Sequence, residues 1–367
     1  MTTTLADLWH RSGRAARDDR KRLLCLYAVL ATPPTLLLAG LVSRLLTGSD
    51  LALGGLRRPI DYVVAPVRDA WMHDDVLGAL LFVLVAAVFL AVPWGILGGA
   101  VARMAAVDLA AGRREAPRDA VAFARRHARG FVGAKTVLWA GALLPAALAM
   151  LAALLARLPG ALGTAGSVVA VVVVPALALV AVVAGSLGAL AAWVAGPTIA
   201  AEDSDAFDAV SRVYSYAAAG LPRLLGVRLV FLGGVLLGAS WRLLRTVATA
   251  LVAGIALQAG AGRERFDAWL AALRSVGSGG SVPVGDLLPG LLLAAVAAGL
   301  VALWLADLAA RVICGRMGAY LWLRQRVDRV PTDRLRTSPA GPVFQDAEAA
   351  GFVEVARIGV PTKRPTR

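Results

Sequence analysis

The chain has 367 residues, of which 59% are hydrophobic and 17% charged. An ordinary soluble domain is about 45–50% apolar and about 25% charged; the excess here collects in runs of roughly 20 apolar residues, enough to cross a bilayer, and that excludes a pair of ordinary soluble domains. The formal net charge is +14, from 38 Lys and Arg against 24 Asp and Glu, and with no basic segment interleaved with stacking aromatics, topology signals and anionic lipid headgroups account for it, not nucleic acid.

Residues 1–22 read as a basic N-terminus carrying Arg11, Arg14, Arg17, Arg20, Lys21 and Arg22. The apolar run 23–46 that follows exceeds a signal-peptide core of about 7–15 residues and lacks a clean cleavage site. It is therefore a retained first span, kinked at Pro33 and Pro34. The segment 51–75 is amphipathic and suits the membrane surface.

Five further spans are predicted at 76–102, 135–155, 168–196, 224–246 and 287–314. Prolines 93, 145, 175 and 289 fall in four of them, tolerated where neighbouring helices satisfy the freed carbonyls. A fifth span running straight through Arg242 and Arg245 would hold two charges deep in lipid, so it is expected to end near them. The apolar piece 247–259 then reads as interfacial or re-entrant. The stretch "RSVGSGGSVPVGD" is a flexible connector. Residues 329–367 are rich in Pro, Gly and charge and read as a disordered tail.

Of the 38 Lys and Arg, 28 fall on one side of this six-span arrangement. The positive-inside rule then places both termini in the cytoplasm of a bacterial inner-membrane protein. The expected fold is an all-α, polytopic membrane helix bundle of about six transmembrane helices over 23–328, with two cytoplasmic amphipathic helices.

Those two helices share a pattern. "EAPRDAVAFARRHARGF" follows the second span and "DAFDAVSRVYSYAAAGL" follows the fourth. Both contain Asp-Ala-Val, both open on a helix-start signal, and Gly99 and Gly188 precede them at the same offset. A parallel repeat of two spans plus a surface helix is the simplest account. The apolar faces are expected at Val121, Ala124, Ala128 and Phe131 in the first copy, and at Phe207, Val210, Tyr214 and Ala217 in the second. The first copy's other face is basic, with Arg118, Arg125, Arg126 and Arg129. The second copy starts acidic, with Glu202, Asp203, Asp205 and Asp208. Asp208 and Arg212 sit at i,i+4 in the favourable order. Two readings stand: separate interfacial caps, or a basic face meeting the acidic start to close the cytoplasmic mouth.

Gly196, Pro197, Glu202, Asp205, Asp208, Ala209, Arg212, Tyr214 and Tyr216 carry a motif that resembles uncharacterised multi-pass bacterial inner-membrane proteins. More distantly, the layout resembles the membrane domain attached to some glycerophosphodiester phosphodiesterases. Neither resemblance implies a catalytic residue, and the sequence contains no phosphodiesterase domain to bring that activity.

Chemistry-bearing patterns are sparse. His10, His73 and His127 form no metal-ligand pair, and there is no nucleophile elbow, P-loop or dinucleotide fingerprint. Cys25 and Cys314 read as small buried hydrophobes. Asp307 and Arg311 lie one turn apart in the sixth span, where ionisable residues are functional hypotheses. Gly95 with Gly99, and Gly234 with Gly238, form GxxxG faces suited to packing within the chain or between chains. The sequence therefore points to a non-enzymatic scaffold, sensor or accessory subunit with no cofactor or metal. Its partners would be the bilayer, anionic headgroups, and a membrane-protein partner or a second copy. A transporter or permease component is the alternative, and a lipid-acting membrane enzyme has the least support.

Overall fold

A computed structural model describes residues 4–47, 76–276, 284–332 and 335. The predicted surface segment 51–75, the glycine-rich part of the connector and almost all of the tail lie outside the described residues.

The described chain is helical throughout. Thr4 opens α1 (Leu5–Ala15) with a capping box: its hydroxyl accepts from the Asp7 amide and the Asp7 carboxylate accepts from the Thr4 amide, satisfying two donors that a helix start leaves open. Leu8, Ser12 and Ala15 face inward at helical spacing, while Arg11 and Arg14 lie on the remaining surface. The basic N-terminus is thus a docked helix. After a tight turn comes α2 (Asp19–Thr47), which continues through Pro33 and Pro34. Lys21, 1% exposed, pins this corner by donating to the Ala15 carbonyl at 3.1 Å and pairing with Asp108 at 2.7 Å.

Next are α3 (Val76–Ala111), α4 (Pro117–Arg126), α5 (Ala128–Leu154), a short 3-10 turn, α6 (Gly160–Glu202), α7 (Ala206–Ala261), α8 (Arg263–Val276) and α9 (Val284–Val327). Stretches of five helices are long and apolar enough to cross a membrane: Asp19–Val42, Phe82–Ala111, Gly160–Ser186, Ala206–Ala261 and Gly285–Val327. The predicted third span lies on α5, whose apolar stretch is Leu143–Leu154.

The expected break near Arg242 is absent. Both arginines sit inside α7, which continues to Ala261, so 247–259 is neither a separate interfacial piece nor re-entrant. The physical reason is a counter-charge the local sequence does not show: Arg242 pairs with Asp307 of α9 at 3.0 Å. The one break in α7 is at Gly220 (φ 161, ψ 83), with Pro222 two residues on. It divides a short capping segment from the long segment that contains the predicted fifth span.

The two patterned segments follow the same course. Each preceding helix ends on a left-handed residue, Gly112 (φ 63) or Asp203 (φ 55). In each case its amide bonds the carbonyl four residues back, on Asp108 or Ile199, at 3.1 Å. A short helix follows, then a break at His127 or Gly220, then a longer apolar helix.

One apolar core joins α1, α2, α3, α4, α5, α6, α7 and α9. Both GxxxG faces pack within the chain. A side chain at Gly99 would meet the Phe131 ring at 2.8 Å, and one at Gly95 would meet Val132 at 3.0 Å. Gly234 lies under the Trp9 indole of α1, and Gly238 under the Arg311 guanidinium. Cys25 and Cys314 are buried free thiols.

Candidate functional site

The acidic run that begins the second patterned segment is a helix-to-helix turn in which each acid has a different task. Asp205 is the N-cap of α7, its carboxylate accepting from the Asp208 amide at 2.8 Å. Asp203 reaches back to His127 Nε2 at 2.6 Å, and Glu202 turns inward, 4% exposed. Asp208 is exposed. Its expected pairing with Arg212 does not form, because Arg212 closes on Glu202 with two contacts of 2.8 Å and 2.5 Å. A bidentate charge-assisted pair on a buried carboxylate outweighs a solvated i,i+4 pair of a few tenths of a kcal/mol.

Glu202 is the centre of a network between α6, α7 and α9. Arg324 Nε lies 3.1 Å from its Oε1. The Tyr320 hydroxyl donates to the same oxygen. Tyr216, whose ring stands 6.2 Å from that of Tyr320, donates to Asp328 at 2.6 Å. Arg212 is also 3.6 Å from Asp328. Two carboxylates therefore face two guanidinium groups, and the cluster is neutral.

A second cluster, on Asp307, is not balanced. This 3%-exposed carboxylate meets Arg311 at 2.7 Å, Arg22 at 3.0 Å and Arg242 at 3.0 Å. Arg22 also reaches the exposed Asp19 at 3.2 Å, and its buried Nη2 has no hydrogen-bond partner among the described residues. Here α2, α7 and α9 converge on one acid with three cations. Arg311 also lines a cavity of about 1250 Å³ beneath α1, with His10, Arg11, Arg14 and Arg17.

The sequence picked out Asp307 and Arg311, and the structure brings them together. Tyr320, Arg324 and Asp328 were missed, and Arg22 and Arg242 were noted as charges without their partner Asp307. Their only sequence signal is an ionisable or hydroxyl group in or beside an apolar run. The capping box Thr4-Leu-Ala-Asp7 and the Leu8, Ser12, Ala15 spacing were available as signals for α1.

Of the two readings, the one in which the basic face meets the acidic start is not what the structure has. Arg118, Arg125, Arg126 and Arg129 are exposed and form no ion pair with Glu202, Asp203, Asp205 or Asp208 among the described residues. The two segments meet instead through His127 and Asp203, because Arg118, Arg125 and Arg126 project from the side of α4 opposite Ala120, Phe123 and Ala124, which are buried, and Arg129 points outward from the first turn of α5. Behind them Arg103, 7% exposed, donates to the Ala200 carbonyl at 2.9 Å and covers the Phe123 ring at 4.5 Å. It also lies 3.6 Å from Glu115. Burial raises the Glu115 carboxyl above its ordinary range against the opposing pull of Arg103. The inward face of the second segment is centred on Ala209, Val213 and Tyr216; of the predicted face, Val210 and Ala217 pack against the core at its margin, whereas the other two do not. Phe207 and Tyr214 point outward, 80% and 55% exposed.

Among the described residues no group of three or more His, Cys, Asp or Glu is placed to hold a metal ion. No protein-family model, curated protein or solved structure matches the chain.

Proposed function

We propose that this chain is a non-catalytic scaffold, sensor or accessory subunit of the bacterial inner membrane, with both termini cytoplasmic, and that it presents a fixed basic face to an acidic membrane-protein partner. One observation carries the reading: the buried acids Glu202 and Asp307 are engaged in holding helices together, whereas Arg118, Arg125 and Arg126 stay outward on the short helix α4, anchored from behind, and Arg129 stays outward in the first turn of α5. A guanidinium row held on a rigid element suits carboxylate or phosphate recognition. The resemblance of the Gly196 to Tyr216 motif to uncharacterised inner-membrane proteins belongs to the same proposal.

The test is co-purification in mild detergent from native membranes. The wild-type chain is expected to retain a reproducible partner, and a variant with all four arginines changed to Glu is expected to lose it while keeping its thermal stability. A wild-type chain that retains none counts against the proposal.

The alternative, a permease component, is favoured by one feature, a cavity of about 850 Å³ between α2, α3, α5, α6 and α9. Its largely apolar walls suit an amphiphile better than a polar solute.

A further inference from the structure

The same cavity contains an unanswered charge. Its walls include one charged side chain, Arg316. The other polar wall groups are already satisfied: Thr32 donates to the Ala28 carbonyl at 2.9 Å, and the Trp94 indole donates to Thr32 at 3.1 Å. Arg316 has a buried Nε without a hydrogen-bond partner and forms no ion pair among the described residues. The charge that acts on it is a like one, Arg228 of α7. An uncompensated guanidinium in an apolar wall is costly and calls for an anion.

The rest of the cavity has the form of an apolar chain. Ala298, Val301, Leu305, Ala309, Val312 and Arg316 line it from α9. Their spacing of three and four residues keeps them on one face of the helix. From Ala298 to Arg316 this stripe is about 27 Å long at 1.5 Å per residue, longer than the single leaflet, about half of a roughly 30 Å hydrocarbon core, that one acyl chain spans. Gly98, Gly99 and Ala102 on α3 and Gly196 on α6 keep part of the opposite wall low, beside the rings of Trp94 and Phe131. The volume is that of a small-molecule site.

We propose that this cavity binds one anionic phospholipid of the surrounding bilayer, its phosphate on Arg316 and an acyl chain along the α9 stripe toward Ala298. The planar guanidinium offers paired N–H donors to phosphate oxygens, and the chain fills a groove whose walls are almost entirely apolar. The proposal rests on the chain lying in a bilayer. Its test uses the isolated chain without partner, so its failure and that of the proposed scaffold role are distinguishable.

The full chain in detergent is titrated with phosphatidylglycerol or phosphatidylcholine and read by native mass spectrometry. The wild type is expected to prefer phosphatidylglycerol by about tenfold: both lipids present a phosphate, but the choline cation of phosphatidylcholine already offsets its charge and sits unfavourably beside Arg316. Arg316→Leu should abolish that preference and Arg316→Lys should keep part of it. Ala309→Phe, which fills the groove and leaves the cation in place, should weaken binding of both lipids and keeps the test decisive if Arg316→Leu fails to fold. Equal binding of the two lipids by the wild type, an unchanged preference in Arg316→Leu, or unchanged affinity in Ala309→Phe overturns the site. Tighter binding of oleate than of phosphatidylglycerol overturns the phospholipid assignment.

Discussion

Arg212 grips Glu202 with both ends of its guanidinium, at 2.8 Å and 2.5 Å, ten residues back across a helix-to-helix turn. Removing one partner of a buried pair leaves the other charged and desolvated. Glu202→Gln should therefore destabilise the chain by about 3 kcal/mol, and the exposed Asp208→Asn should stay within about 0.5 kcal/mol of wild type. Thermal unfolding in one detergent compares them. Equal losses would mean that Arg212 divides itself between the two acids.

Asp307 answers three arginines, so its removal should be more costly than that of any one of them. Asp307→Asn is expected to lower stability by several kcal/mol. Adding Arg311→Gln to that variant should recover part of the loss, because one of three mutually repelling cations is gone. If the double variant is less stable than Asp307→Asn alone, the cluster is not governed by charge balance.

The pH dependence should contain two opposite contributions from outside the spans. Glu115 is raised by burial from an ordinary value of 4.5. The folded chain then holds its proton more tightly than the unfolded one, so this contribution is fully present below 4.5 and is lost as pH rises through the folded value. Glu115→Gln should gain stability relative to wild type across that rise. Asp7 is exposed and is lowered from 3.8 by its hydrogen bonds with Thr4. Its contribution is present above 3.8 and is lost as pH falls through the folded value, and Asp7→Asn should remove that acid-side loss. Melting temperatures from pH 3 to 8 would register both signs.

Close backbone approach makes the glycines unequal. A methyl group at Gly99 would stand 2.8 Å from the Phe131 ring, whereas one at Gly141 would meet nothing within 4 Å. Gly99→Ala should cost about 1–3 kcal/mol, in the range of other overpacked sites. Gly141→Ala should be neutral or slightly stabilising. At Gly234 the added methyl would strike Trp9, so Gly234→Ala should lift α1 and speed hydrogen exchange across residues 5–15. Unchanged exchange there would show that α1 is held by its other contacts.

The helices were legible because hydrophobic runs and caps are local. Pro117 in one segment, and Ser204 or Asp205 in the other, mark helix starts in the sequence; in the structure Pro117 begins α4 and Asp205 is the cap of α7. The clusters were legible only where their members share a helix, as Asp307 and Arg311 do. Arg22 and Arg242 reach Asp307 from two other helices, and Tyr320 reaches Glu202 across 118 residues of chain. No periodicity encodes such meetings. The same blindness explains α7: a span through Arg242 looked too costly because the acid that offsets it belongs to another helix. Phe207 and Tyr214 misled for a different reason. Hydrophobicity marks a face as apolar without saying whether protein or lipid covers it.

The two ionic clusters have a mechanical consequence. Each ties α7 to α9, one through Asp307 and the other through Glu202, Arg212, Tyr320 and Arg324. Along α9 the attachments at Asp307 and Tyr320 lie about 20 Å apart. A single rivet permits pivoting; two rivets make a plate. Sliding or twisting of α7 against α9 is therefore blocked unless a clamp opens. The far arm of α6 has no such fastening, and its Val168, Val171, Val172 and Val182 are outward-facing. If the molecule flexes while both clamps hold, that arm is the part free to swing, with the plate as its frame.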